Sequence, residues 1–343
     1  MRRLTLILSD LYLPKEAGRD AAIPAALALP HLDWLLRFAQ THGMADWRRW
    51  LAADLGRADL AQLPAARLAA RAILDFPFAD SVWLATPVRL EARLDHVRML
   101  ARGLPRLAAA ERAQWCEEFA RAFAPYALHD AGPRGFLLTG IAPAAIAAVD
   151  PARLLDADIA PALPTGVAAR ELRRLSAEIE MWMHAAPINL ARERAGLPRL
   201  SSLWLWGGGL NAPATCEAAS ALAAVSTPRF FGDDPAFAGL SHAVIGAPPA
   251  TVPAGLAAVR ALPDRLIVEL TPMNGATSES LSALDVDWFA PARAALSNGT
   301  LPALDIVAND RWFRIVARPG WRIWRRRISW LARLGQPHRQ SKA

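Results

Sequence analysis

Lysine is nearly absent from this chain. Lys15 and Lys342 are the two among 343 residues, so the 39 basic side chains are almost all arginine. The formal net charge is +7 and the isoelectric point about 10.5. With a heavy load of alanine and proline beside it, the arginine bias reads as codon usage. Charge balance alone therefore does not specify a nucleic-acid partner. Cysteine is equally scarce. Cys116 and Cys216 stand far apart and outside any CxxC pattern, which excludes a disulfide framework or a cysteine zinc site and fits a reducing, cytoplasmic compartment. No uncharged apolar run reaches the ~18 residues of a membrane span, and mean hydropathy is +0.16, so no transmembrane segment is expected. GxGxxG, a Walker loop, GxSxG and HExxH are all missing, which removes the usual signatures of dinucleotide, nucleotide, serine-hydrolase and metalloprotease sites. The seven histidines, His31, His42, His96, His129, His184, His242 and His338, are scattered.

What remains is a chain that is 53% hydrophobic, ample for one large or two smaller domains. The start has the charge of a signal peptide, but its apolar run, residues 4–8, stops at Ser9-Asp10. It reads as a first strand. Apolar periodicity predicts helices over 30–42, 47–55, 60–74, 108–123 and 165–183, with Asp46 as the cap of the second. Strands are expected at 135–139, 202–206, 229–231 and 265–270. A helix is expected over 217–224. Over 285–297 the pattern is helical, but Pro291 places the helix start near Ala290. Residues 304–307 and 312–316 flank Asn309-Asp310 and predict a hairpin. The proline-rich stretch 141–165 is a linker candidate. Strands alternating with helices at both ends imply an α/β fold with a mostly parallel central sheet. The expected division is 1–80 as the first part of that core, 81–164 as an inserted small α+β unit with linker, and 165–343 as the second part with a basic C-terminal tail.

The densest stretch runs from Trp182 to Asn211. Gly207-Gly208-Gly209 follows an apolar strand, where backbone N–H groups can approach an anion. The same glycines also suit a tight strand exit. Trp204 and Trp206 share a strand face, as core packing or as a stacking platform. His184, Asn189, Arg192 and Arg194 lie just upstream. Arginine forks suit phosphate or carboxylate, while Asn189 also suits a helix cap. His184, Asn189, Arg192, Arg194, Trp206, Gly207, Gly208, Gly209 and Asn211 form the candidate ligand-binding set. Asp10 ends the first strand, at the edge where open α/β sheets bind ligands, and is the one catalytic candidate. Three histidines have a near aspartate: His31 with Asp33, His96 with Asp95, and His129 with Asp130. No further ligands gather beside them in sequence, and no metal site is assigned. From Arg311 to Lys342 basic residues crowd and acids are absent, which suits a solvated end or contact with nucleic acid or an acidic membrane surface.

The run HAAPINLARERAGLPRLSSLWLWGGG resembles a segment of archaeal-type, cofactor-independent phosphoglycerate mutases. The matching positions are His184, Pro187-Ile188-Asn189, Arg192 or Arg194, Gly196, Pro198 and the residues from Trp206 to Gly209. The chain is also similar to a proteobacterial group of regulatory proteins of the RpfE type, in SLWLWGGG, in WLATPVRLEARLDHVRM and in RWFRIVARPGWRIWRRR. The resemblance implies an alkaline-phosphatase-like sandwich with an inserted domain. It also implies mutase chemistry with two divalent metals and a phosphoryl-carrying serine. The sequence departs from the mutase pattern. Ser9-Asp10-Leu11 lacks the following glycine, no Asp-His pair follows the signature, and Ala185-Ala186 separate His184 from Pro187. Asp233-Asp234 and Asp264 remain as carboxylates without histidine neighbours. The expectation is a catalytically degenerate relative that needs no cofactor and regulates by binding an anionic ligand or a protein partner. The alternatives are a divalent-metal phosphomutase or phosphatase built on Asp10, and a binder acting through the basic tail.

Overall fold

A computed structural model describes residues 2–12, 27–44, 46–74, 81–100, 103–142, 146, 148–208, 227–259, 263–271, 277–318 and 329–335. In chain order the elements begin with β1 (Arg3–Leu8), α1 (Pro30–Phe38), β2 (Gln40–Gly43), α2 (Trp47–Asp54), α3 (Ala58–Ala61) and α4 (Ala65–Ile73). Next come β3 (Val82–Val88), β4 (Leu90–Ala92), β5 (Val97–Met99), α5 (Ala109–Phe123), β6 (Ala127–Asp130) and β7 (Phe136–Thr139). Then follow α6 (Arg170–Ala185), α7 (Pro187–Arg194), β8 (Ser202–Trp206), β9 (Arg229–Phe231) and α8 (Pro235–Ile245). The chain continues with β10 (Arg265–Leu270), α9 (Ser278–Leu284), α10 (Ala290–Asn298), β11 (Ala303–Ala308), β12 (Arg311–Val316) and α11 (Trp330–Gly335).

The chain divides into two compact units. The first is Met1–Leu51, Ala221–Gly232 and Pro249–Ala343, and the second is Ala52–Ser220 and Asp233–Pro248. These limits differ from the three segments expected, and strand pairing gives the reason. β8, expected in the core sheet, pairs with β3 instead. α8 joins the same unit because Gly239 lets it press on α4, where a Cβ would overlap the Leu68 carbonyl.

The first unit is the α/β part. Its six-stranded sheet has the order β2-β12-β11-β1-β10-β9. The four strands β11, β1, β10 and β9 run parallel, and β12 and β2 add antiparallel pairings at one side. Leu4, Leu6 and Leu8 point to one face by the two-residue period of a strand. There they join Leu266, Val268, Leu304 and Ile306 in a core shared with Leu32, Leu35 and Leu36 of α1 and Leu296 of α10. The hairpin forms as expected. Asn309 and Asp310 both have positive φ, 49° and 58°, as a two-residue turn matched to strand twist requires. Two expectations change. Residues 40–43 leave the helix and pair with β12, His42 opposite Trp312. α10 does start at Ala290, but residues Asp285–Phe289 before it form a π-helical segment. Its wide turn meets the missing N–H of Pro291 and places Asp285 at the start of α1. Leu29 gives α1 no side-chain cap. Asp285 does so from a distance, accepting from the N–H of His31 at 3.1 Å and of Leu32 at 2.8 Å.

The second unit is built on an antiparallel sheet, β6-β7-β3-β8. One face carries Trp83, Phe136, Leu203 and Leu205 against α5 and α6. The other carries Val82, Leu84, Trp204 and Trp206 against α4. Pro64 divides the helix expected over 60–74 into α3 and α4, since proline cannot donate inside a helix. The helix expected over 217–224 lies outside the described residues.

Candidate functional site

The register of the parallel sheet positions a polar cluster at its carboxyl edge. Ile7 is the neighbour of Glu269 on the adjacent strand, so Ser9 and Thr271, two residues further on, extend toward the same face. Ser9 Oγ donates to Glu269 Oε1. Thr271 Oγ1 donates to the same oxygen at 2.8 Å, and the two hydroxyls lie 3.3 Å apart. Ser9 and Glu269 are each 1% exposed. A buried carboxylate needs donors of this kind, because an unpaired charge in the interior is costly. Asp10, the catalytic candidate, stands beside them at the end of β1 and is also buried. Glu269 was hidden in the sequence as the fifth residue of an apolar strand. The available signal was its cost: a lone carboxylate in a buried strand implies a partner.

The glycine-tryptophan stretch resolves differently from its anion-cradle reading. Gly207 has φ +65° and approaches Ala65 and Ala66 of α4. Its carbonyl accepts from the Ala66 N–H at 2.9 Å. A Cβ on Gly208 would overlap the Trp83 ring and the Val82 carbonyl. These glycines are therefore a tight strand exit that receives the start of α4. Trp204 donates to the Val149 carbonyl and Trp206 to Thr86 Oγ1, each at 2.8 Å. Both indoles are buried, as core packing requires of a polar ring edge.

Asn189 is fully buried. Its amide nitrogen donates to the carbonyls of Met183 at 2.6 Å and Leu200 at 2.9 Å, and its oxygen accepts from the Leu200 N–H at 2.9 Å. Arg192, also buried, donates to the Pro198 carbonyl at 2.9 Å and to Glu111. These two side chains fasten the end of α6 and α7 to the entry of β8. His184 and Arg194 are exposed. Gly209 and Asn211 lie outside the described residues, as do Cys216, Trp321, Trp324 and His338.

The three histidine-aspartate neighbours do not become metal sites. Asp33 accepts from the Trp330 N–H. His129 faces Thr139 at 3.1 Å, while Asp130 takes Arg112 at 2.6 Å. His96 and Asp95 do pair, at 2.6 Å, on an exposed turn. Of the other carboxylates, Asp233 pairs with Arg106. Asp234 caps α8 through the Phe237 N–H at 2.9 Å and lies 4.0 Å from the buried Arg134. Among the described residues, no three His, Cys, Asp or Glu side chains gather where a metal could be held. The described residues do not fit the metal pair that the mutase resemblance implies. Cys116 is no substitute, since burial first, and Asp130 second, push its thiol up to about 11.

The basic end is partly folded structure. Arg311 is buried and donates to the Arg333 carbonyl at 2.6 Å. Arg314 reaches Asp305 at 2.9 Å. Trp312 donates to Asp305 at 2.8 Å, and Trp330 belongs to the core. Residues 319–328 and 336–343 lie outside the described set.

No family model matches the sequence, and no curated protein matches it. Among solved structures, the chain is similar to a cofactor-independent phosphoglycerate mutase from Thermoplasma acidophilum DSM 1728, with 14% identity, a TM-score of 0.39, and coverage of 92% of this chain and 89% of that one. It is similar as well to the PH0037 protein from Pyrococcus horikoshii, with 12% identity, a TM-score of 0.46, and coverage of 92% and 87%. The α/β class of the chain stands on its own strand order and pairing.

Proposed function

We propose that this chain is a catalytically degenerate, phosphoglycerate-mutase-like protein on an alkaline-phosphatase-like scaffold, acting in regulation by binding an anionic ligand or a protein partner. The observation that carries this reading is the state of the carboxyl edge of the parallel sheet. Two-metal phosphoryl transfer needs several carboxylate or imidazole ligands left open to cations. Glu269 instead accepts hydroxyl donors from Ser9 and Thr271 on Oε1. Asp233 and Asp234, the carboxylates that the sequence left available, face Arg106 and Arg134. In the first unit hydroxyl groups engage Glu269, and in the second, taken by itself, guanidinium groups engage or approach Asp233 and Asp234. Among the described residues of the suggested ligand set, His184 and Arg194 are exposed, which favours a surface partner over an enclosed substrate.

The test pairs an activity assay with a binding assay. Phosphoglycerate mutase and phosphatase turnover are measured with manganese and with chelator. Melting temperature is measured with phosphoglycerates and nucleotides. The expected result is no manganese-dependent turnover, with stabilisation by at least one phosphorylated ligand or capture of a partner that is lost in a His184→Ala/Arg194→Ala variant. Turnover abolished by chelator and by Asp10→Ala would overturn the reading.

A further inference from the structure

We propose that the amino edge of the parallel sheet in the first unit is a docking strip for the sugar-phosphate backbone of a nucleic acid. This surface is separate from the carboxyl edge described above, and the inference does not rest on the function proposed there.

Parallel topology brings strand starts together, and here the starts are arginine. Arg3 opens β1 and is in register with Arg265, which opens β10. Arg229 opens β9, one step away beside Leu266. β12 runs the other way, so its end reaches the same edge, with Arg314 opposite Asp305. The chain then passes Arg318, whose N–H donates to the Leu296 carbonyl at 2.9 Å. Arg2 precedes β1. The segments forming this edge, 2–3, 227–229, 263–265, 299–305 and 314–318, carry these six arginines and two acids, Asp264 and Asp305.

The two acids do not neutralise the strip. Asp305 is fully buried and is engaged from within by Arg3, Arg314 and Trp312. That leaves Arg2, Arg229 and Arg318 exposed beside a single exposed acid, Asp264. At the opposite edge, Asp10, Glu269 and Asp310 lie at or near the ends of β1, β10 and β11, and Arg311 opens β12.

Shape and chemistry select among polyanions. From β12 to β9 there are four strand spacings, roughly 19 Å at about 4.8 Å each. A line of cations of that length matches a chain of phosphates better than a two-dimensional lipid surface. Val316 is the one large exposed apolar residue on these segments, too little to seat in a bilayer. Every cation on the strip is a guanidinium, whose fork pairs with phosphate oxygens.

The experiment uses the full chain and a fluorescent oligonucleotide, with binding followed by anisotropy across a salt series. Wild type is compared with Arg2→Gln/Arg229→Gln/Arg318→Gln, which spares Arg3 and Arg314 because they hold Asp305. Three lost phosphate contacts should flatten the log–log salt slope by about 2 and weaken binding ~100-fold near 0.1 M salt. Asp264→Asn should tighten binding by a few fold, a gain that misfolding cannot produce. Equal affinity in wild type and the triple variant would overturn the proposal. So would a loss confined to Arg325→Gln/Arg326→Gln/Arg327→Gln, which would place binding in the tail. Sensitivity of phosphatidylserine-vesicle binding to the triple variant, with no oligonucleotide binding, would overturn it in favour of a membrane surface.

Discussion

Replacing Asn189 by alanine separates a structural role for the signature stretch from a ligand-binding one. The side chain is fully buried and makes three hydrogen bonds to backbone groups of Met183 and Leu200, which are themselves buried. At roughly 1 kcal/mol net for each, the loss is about 3 kcal/mol. The Met183 carbonyl keeps the Ala186 N–H at 3.2 Å, so it is not stranded. The Leu200 N–H loses the Asn189 oxygen in a position that water does not reach, which pushes the cost toward 4 kcal/mol, with about 1–3 kcal/mol for a stranded group as the guide. For a unit of this size, about 3–4 kcal/mol is a fall in melting temperature of about 6–16 °C. Melting by circular dichroism gives the global value, and hydrogen exchange in the β8 peptides locates it. Asn189→Asp should be at least as damaging at neutral pH, because a carboxylate would then face two carbonyl oxygens. A loss below about 1 kcal/mol, joined to disappearance of ligand-induced stabilisation, would show that Asn189 serves a ligand and that the internal bonds are incidental.

Four further substitutions follow from the same geometry. Asp305→Asn removes the charge shared by Arg3 and Arg314; the cost should be about 2–3 kcal/mol, below that of a fully buried pair because both guanidiniums keep some solvent, and a urea midpoint unchanged from wild type would refute it. Gly208→Ala drives a methyl into Trp83 and Val82 and should cost about 1–3 kcal/mol or more. Gly246→Ala has open space within 4 Å but a φ of +71°, so about 1 kcal/mol is expected, and the order of the two costs is the check. Asp33 has its carboxyl pKa raised, by burial first and by the charge of Asp285 last, against the lowering effect of the Trp330 N–H. A carboxyl raised in the folded state contributes stability below its unfolded value, near 3.8, and that contribution is lost as pH rises through the folded value. Asp33→Asn should therefore gain on wild type as pH rises from acid to neutral, and the reverse trend in urea midpoints would exclude this account.

The elements that were legible in the sequence were those with strong local signals. The run RLTLIL, the run RLIVEL and the Asn309-Asp310 turn each carry their own period or turn chemistry, and β1, β10 and the β11–β12 hairpin formed as read. Of the elements that escaped, β6 and α8 did so for a physical reason. β6 is four residues, ALHD, half-polar because it lies at the edge of its sheet. α8 is apolar almost all round, because Gly239 buries one side against α4. The candidate site was half legible. Asp10 was visible as a carboxylate at a strand end, but Glu269 was not, since its meaning lies in a register with β1 across some 260 residues of chain. The partners of Asn189 and Arg192 were equally hidden. Side-chain type suggested phosphate recognition, and burial turned both inward.

The stretch that carries the family resemblance and the edge that would carry phosphoryl transfer belong to different units. β8 and its glycines pair with β3 in the antiparallel sheet, whereas Ser9, Asp10 and Glu269 end strands of the parallel one. Each glycine interaction that can be described serves packing: Gly207 receives α4 and Gly208 admits Trp83. A sequence pattern held by such contacts reports how its own sheet is closed, because any side chain there would collide with backbone or an indole ring. It carries no information about the chemistry of another unit's strand ends. A chain can therefore keep SLWLWGGG intact while hydroxyls and arginines engage carboxylates elsewhere in it, and the resemblance in that stretch does not imply a shared reaction.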